Sequence, residues 1–370
     1  MKKVAFVHKD IGDQEKGGIS VSYKALINGF LDKGWDVYVV TQREFKNTSA
    51  KVINVPLEKD YNIHSKNVAK ALNGIDVDII EASNYKFELL EYLKNRKSRK
   101  PKTVIRCNPS CVTLLFGTHY LNSEETQSQL ADYNISVSNF TKQDIEHYYN
   151  VEKSQIIYEG VDLDNFFSMK NKNTLSTGFS SLGSDDCSQI KPAKLDEIIK
   201  KDKINIFWCG KPTPMKGYDY LEKIIANSPD NFRFVLNTTK IDIAMSWGKE
   251  YGSKCVFVWD LSREDQLSIW RRCDVTLVTS RVEGLSYVTV ESLLLGKPVI
   301  ANKQCTVLRE FPTKESIHFF NPIKFIEFET LIKEHYQDKV QIDSSQMKFF
   351  DSKRLVEETE QLYSILLKKQ

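Results

Sequence analysis

TSRVEGLSYVTVESLLLGKPVIA, residues 279–301, decides how the rest of the chain is read. An apolar, β-branched run from Val275 to Val278 precedes it and Glu283-Gly284 interrupts that run. Tyr287 to Leu295 then carries helical apolar spacing, Gly296 ends the helix, and Pro298, Val299 and Ile300 open a new strand. The stretch is strand, loop, helix, strand. Glu283 falls on the loop and Glu291 inside the helix. At about 1.5 Å of rise per helical residue the two carboxylates stand roughly 8 to 10 Å apart. The backbone N–H groups of Leu285, Ser286 and Tyr287 emerge between them from the helix start, where the dipole favours anions. A nucleotide sugar presents hydroxyls, a diphosphate and a ribose in that order. The spacing alone also fits a solvated helix glutamate and a helix-start charge, so its meaning depends on what lies around it.

Upstream stands CGKPTPMKGYDYL, residues 209–221, in which a strand ends at Gly210 and a helix begins at Gly217. Lys211 and Lys216 flank the proline-rich loop between them and can both reach an anion over the sheet edge. Strands at 204–209, 232–236, 255–259 and 275–278 alternate with helices at 218–226 and 263–272. A similar series fills the first half, with strands at 3–7, 36–41, 51–55, 77–81 and 103–107 and helices at 19–33, 63–72 and 87–94. Repeated strand and helix units predict an α/β chain of two doubly wound, Rossmann-like domains facing a cleft. Residues 166–202, rich in Ser, Asn, Gly and Lys, predict a linker or insertion between domains at 1–165 and 203–351. The helix predicted over 352–370 has an apolar stripe.

Glu283, seven residues and Glu291 closely resemble the paired-glutamate motif of the retaining GT-B nucleotide-sugar glycosyltransferases of the family four group. That resemblance implies a catalytic Glu283 facing the sugar hydroxyls, Glu291 on the ribose, and Lys216 with Lys211 on the diphosphate. Gly210, Lys216 and Gly217 match the family's Gly-Arg, loop, Lys-Gly pattern, with Lys211 in place of the arginine, which keeps the charge but loses the planar fork. Gly17, Gly18 and Ile19 match a glycine loop that lies against the donor diphosphate. Arg106 and Asn108 stand where members carry an arginine and a histidine on the acceptor and sugar side. The last helix is expected to pack back on the first, acceptor-side domain. The implied reaction is metal-independent and needs no cofactor beyond the nucleoside diphosphate sugar, a UDP-sugar first. Glycan, lipid-linked and protein-linked acceptors all remain open. So do a sugar-nucleotide epimerase or phosphorylase on the same plan and a non-catalytic nucleotide-sugar-binding subunit.

The chain has 370 residues, and 52 basic against 49 acidic ones leave a formal charge of +3. That gives no global field for nucleic acid, so an anionic partner must be held locally. No run approaches the ~20 apolar residues of a membrane span, and a cytoplasmic location is expected. Seven scattered cysteines read as reduced core residues, without the second pair a zinc site needs. No glycine fingerprint for a dinucleotide follows the first strand. Asp162-Leu163-Asp164 spells an acid, any, acid pattern that the turn already explains. KNRKSRKPK, Lys94 to Lys102, is a basic run that suits a solvated helix end or peripheral contact with the inner face of the cell membrane or an anionic acceptor.

Overall fold

The computed structural model describes residues 1–14, 17–98, 100–114, 117–152, 154–172, 175, 179–181, 195–238, 246–247, 250–252 and 254–368. The chain divides into two compact units, Met1–Leu163 with Lys348–Gln370, and Asp164–Met347.

In the first unit the strands are β1 (Lys3–Val7), β2 (Asp36–Thr41), β3 (Lys51–Asn54), β4 (Ile79–Ser83), β5 (Lys102–Cys107), β6 (Tyr133–Ser136) and β7 (Gln155–Ile156). They form one sheet in the order β3-β2-β1-β4-β5-β6-β7, with every pairing parallel. The helices α1 (Gly18–Asp32), α2 (Tyr61–Leu72), α3 (Leu90–Asn95), α4 (Leu121–Leu130) and α5 (Asn139–Tyr148) lie between strands in the chain, and α6 (Leu163–Ser168) carries the chain from the first unit into the second. Strands such as β1, where Val4 to Val7 are all buried, read as continuous apolar runs because both faces of a parallel sheet are covered.

The described helices of the second unit include α7 (Leu195–Ile198), α8 (Tyr218–Asn227), α9 (Arg263–Trp270), α10 (Tyr287–Leu294) and α11 (Phe325–His335). Its strands are β8 (Phe179–Ser181), β9 (Ile204–Cys209), β10 (Phe232–Asn237), β11 (Cys255–Trp259), β12 (Val275–Val278), β13 (Val299–Asn302) and β14 (Ile317–Phe320). Their order is β14-β13-β12-β9-β10-β11-β8, parallel except for β8. Stretch 166–202 is therefore more than a linker where it is described. Its residues Phe179–Ser181 pair antiparallel with β11, and Leu195 and Ile198 are buried. A three-residue edge strand pairs through backbone groups and leaves no side-chain period for a sequence to show.

α12 (Ser344–Phe350) leads into α13 (Ser352–Lys368), and α13 packs on α1 in the first unit. Leu355, Val356, Leu362, Tyr363 and Leu366 join the core of that unit. Gly29 of α1 makes the approach possible, since a Cβ there would stand 2.4 Å from Val356 Cγ2.

Both sheets reverse their strand order once, between β1 and β4 in the first unit and between β9 and β12 in the second. At such a switch point the loops leaving neighbouring strands turn in opposite directions and open a crevice at the carboxyl edge. The candidate donor site described below sits at the second of these places.

Candidate active site of the second unit

The loop after β9 and the loop after β12 meet at the second switch point, and buried polar contacts join them. Trp208 Nε1 donates to Thr279 Oγ1 at 2.9 Å, and Thr279 Oγ1 donates to the Lys216 carbonyl at 2.7 Å. Arg281 N–H donates to the Met215 carbonyl, and the Arg281 guanidinium takes Asp219 in two bonds of 2.7 and 2.6 Å. Gly217 caps α8 with a φ of +64°, and a Cβ on it would lie 1.9 Å from the Thr279 carbonyl oxygen. Only glycine allows the two loops to come this close.

These joins set Lys216 against Glu283. Lys216 Nζ donates to Glu283 Oε1 at 2.6 Å, and Ser280 Oγ donates to the same oxygen at 2.6 Å. Burial on its own would lower the Lys216 ammonium, but the Glu283 carboxylate outweighs it and leaves the group above the ordinary lysine value. Lys216 is therefore a fixed cation at the sheet edge. Ser286 is the N-cap of α10, its hydroxyl accepting from Thr289 N–H at 3.4 Å. Leu285 and Ser286 are buried and Tyr287 is half-buried at the helix start, where the first N–H groups lack intrahelical partners. Gly210 leaves β9 beside Lys216, whose Cγ would be 3.7 Å from a Cβ at Gly210. Lys211 stands exposed on the same loop.

Glu291 lies one turn into α10, buried, with one carboxylate oxygen bonded by Arg263 Nη2. Arg263 Nη1 also donates to Gln266 Oε1 at 2.7 Å, and Gln266 Nε2 reaches Cys209 Sγ at 3.5 Å. Burial, with Glu291 nearby, pushes the Cys209 thiol up to about 11, so it is a neutral wall of the site and no nucleophile. The site thus runs from a lysine–glutamate–serine cluster, past a helix start, to a glutamate–arginine pair.

Sequence reasoning named Glu283, Lys216, Lys211, Gly210, Glu291 and the α10 start as candidates, and the structure places all of them in the second unit. It missed Ser280, Thr279 and Arg263. Ser280, three residues before Glu283, was within reach of a turn argument, whereas Arg263 comes from a helix 28 residues upstream of its partner.

The first-unit candidates are placed differently. Gly17 caps α1 with a φ of +118°, its carbonyl accepting from Ser20 Oγ at 2.8 Å, and Gly18 is the first helical residue. Asn108, just past β5, is tied to the end of β4: its N–H donates to Asn84 Oδ1 at 2.8 Å and its Nδ2 to Ser83 Oγ at 3.4 Å. Arg106 is corrected. Its guanidinium is buried in the core, where Nε donates to Glu81 Oε1 at 2.7 Å and Nη2 to Thr359 Oγ1 at 3.1 Å, while Tyr363 Oη donates to Glu81 Oε2 at 2.6 Å. A guanidinium locked under α13 cannot meet an acceptor. It neutralises a buried carboxylate and ties the last helix to the sheet.

The profile described as Glycosyltransferase Family 4 matches residues 16–165, and that described as Glycosyl transferases group 1 matches residues 191–321. An uncharacterized 41.2 kDa protein in the cps region of Klebsiella pneumoniae is 24% identical over 265 residues, 69% of this chain and 68% of that protein. The structure of sucrose-phosphate synthase from Thermosynechococcus elongatus superposes with a TM-score of 0.75 over 100% of both chains at 14% identity. Anabaena Alr3699/HepE in complex with UDP-glucose superposes with a TM-score of 0.71 over 98% of this chain and 100% of that one, at 15% identity. With both units matched by glycosyltransferase profiles, and with two doubly wound sheets in the arrangement of strands that such enzymes share, the chain belongs to the GT-B glycosyltransferases of the family 4 type.

Proposed function

We propose that the chain is a retaining glycosyltransferase that moves a hexose from a UDP-sugar to an acceptor hydroxyl in the synthesis of a surface glycan, acting in the cytoplasm. The observation that carries it is the Lys216–Glu283–Ser280 cluster at the second switch point, beside a capped helix start. The UDP-glucose complex of Alr3699/HepE and the cps-region relative support the donor and the setting.

In the chemistry that follows, the bond from the sugar anomeric carbon to the diphosphate breaks while one to the acceptor oxygen forms on the same face. The acceptor proton passes to a donor phosphate oxygen. Negative charge grows on the leaving diphosphate, and Lys216, Lys211 and the α10 N–H groups meet it there. These cations make transfer metal-independent, so the rate should persist in excess chelator. Glu283 is released from Lys216 when the diphosphate takes the ammonium, and it then holds sugar hydroxyls. Glu291, oriented by Arg263, holds the ribose. Proton NMR of the fresh product tests retention, because an inverted anomeric configuration would end the proposal. Turnover of the UDP-sugar without any acceptor would instead point to an epimerase, and donor binding without turnover to a non-catalytic subunit.

Lys216→Ala should weaken binding of UDP by more than tenfold and that of uridine by less than threefold, since a charge-assisted contact to phosphate is worth about 1.5 to 3 kcal/mol. Calorimetry on both ligands checks it. Equal losses would mean that Lys216 shapes the fold or the base pocket.

The basic run enters β5 at its first residue and so lies at the amino edge of the first sheet, not at the carboxyl edge where ligands bind. That position supports lipid contact rather than acceptor contact for the run. Arg96 is taken up by Asp132 at 2.7 Å and by the Leu130 carbonyl at 2.9 Å, while Lys97 and Lys100 are exposed and Arg99 lies outside the described residues. No helix among the described residues is long and apolar enough to cross a membrane. Peripheral contact with acidic lipid remains our proposal, at roughly 1 kcal/mol per basic residue. Neutralising Lys97, Arg99 and Lys100 together should release the protein from acidic vesicles in a sedimentation assay. Unchanged pelleting would make the run a solvated surface.

A further inference from the structure

The edge strand of the second unit's sheet carries a cluster that the donor site does not use. β14 stands at the end of the strand order, paired with β13, and His318 is its second residue. α11 packs against β14 and ends at His335, and Asp338 follows in a turn where its N–H donates to the His335 carbonyl at 3.0 Å. The His318 and His335 rings lie face to face, their centroids 3.5 Å apart and their planes 9° from parallel. His335 Nδ1 is 2.8 Å from Asp338 Oδ2. One nitrogen from each ring and one Asp338 carboxylate oxygen all lie within 4.8 Å of one another.

Packed backbone holds the three residues in place. Phe320 on β14, with Phe328 and Ile332 on α11, belongs to the buried core of the unit, so both imidazoles are presented from fixed elements. Past Asp338, the Val340 N–H donates to the Gly296 carbonyl at 3.2 Å and pins the turn to the end of α10. His318 and His335 are half-buried and Asp338 is exposed. His318 and Asp338 face a hollow of about 230 Å³, whose wall also carries Glu315 and Lys339, one acid and one base. A histidine–aspartate hydrogen bond accounts for two of the three residues. It has no use for the second imidazole laid over the first.

Two imidazole nitrogens and a carboxylate oxygen are a donor set that suits divalent transition ions, whereas hard ions such as Mg²⁺ take oxygen alone. Two ligand atoms of a tetrahedral zinc ion, each about 2.0 to 2.1 Å from it, stand roughly 3.3 Å apart. At 2.8 Å the His335–Asp338 pair is within about half an ångström of that spacing, and an ion can replace the proton the two atoms share. The His318 ring must tilt out of its stack to aim a lone pair at the same point, and the hollow beside it leaves room for that. We propose that His318, His335 and Asp338 form a zinc-type metal site, completed by solvent, that ties α11 and the turn after it to the edge strand. Ser286 caps the start of α10 at the donor site, and the turn after Asp338 is bonded just past the other end of that helix. The ion therefore holds the unit together and takes no part in transfer, which stays metal-independent.

Titration of the full chain with Zn²⁺, after stripping with chelator and dialysis, tests the site. Calorimetry should give one ion per chain with a Kd below about 10 μM. At free Zn²⁺ about a hundredfold above that Kd, the melting temperature should rise by about 5 to 10 °C over the stripped protein. Mg²⁺ at the same concentration should do neither. His318→Gln, His335→Gln and Asp338→Asn should each weaken binding about tenfold or more and remove most of the melting increment. The increment is read against each variant's own stripped form, and Asp338 is exposed, so a change that merely harms folding is told apart from a lost ligand. A weaker Kd, no binding at all, or binding that survives in His318→Gln and Asp338→Asn alike, as ions held by thiols would, overturns the site.

Discussion

Glu283→Gln should depress sugar transfer between about tenfold and about a hundredfold while UDP binds at least as tightly as to the parent protein. The first part follows from the value of a hydrogen bond to a charged, desolvated group, about 1.5 to 3 kcal/mol, lost where the donor sugar reacts. The second follows from the ion pair. Glu283 holds the Lys216 ammonium at 2.6 Å, and a diphosphate must compete for that cation. Removing the carboxylate's charge frees Lys216 for phosphate, so the sugar-free ligand has nothing to lose. Glu291→Gln should behave otherwise and weaken UDP and UDP-sugar together, because the ribose is common to both. Calorimetry for the ligands and product formation for transfer separate the two glutamates. Full transfer by the Glu283→Gln variant, or parental UDP affinity in Glu291→Gln, would reject their assignment.

Gly217→Ala should be the most destabilising single change in the second unit's site. The residue has a φ of +64° and an added Cβ would lie 1.9 Å from the Thr279 carbonyl oxygen, which is backbone and cannot swing away. A left-handed alanine costs about 1 to 2 kcal/mol and the overlap typically a further 1 to 3 kcal/mol. For a unit of this size, the sum should lower its melting temperature by on the order of 10 °C. Gly296→Ala is the control: its φ is +73°, but the Cβ would meet only the Val340 carbonyl oxygen, at 3.5 Å. It should show the conformational part alone. Equal melting shifts for the two variants would mean that the close approach of the loops contributes nothing.

The alternation of strands and helices was legible because each element of a parallel sheet is covered on both faces and therefore shows as a short apolar run. Glu283 and Glu291 were legible for a local reason, their places on one loop and one helix. Arg106 misled for the opposite reason. Its position after an apolar strand suited a ligand edge, and nothing local revealed Glu81 on the neighbouring strand or Thr359 on the last helix, 253 residues away. At the basic run, charge density alone left open which edge of the sheet the lysines occupy, because a count of lysines carries no topology.

What the sequence by itself determined is the order of elements and the two carboxylates with their helix start, since these depend on neighbours within a few residues. Only the tertiary structure decided which side chains meet. The crossing of the β9 and β12 loops set Lys216 on Glu283, and the packing of α11 against the edge strand β14 gathered His318, His335 and Asp338. Strand order in a parallel sheet is fixed by long crossovers and by packing of distant apolar faces. Neither leaves a period or spacing in the local sequence.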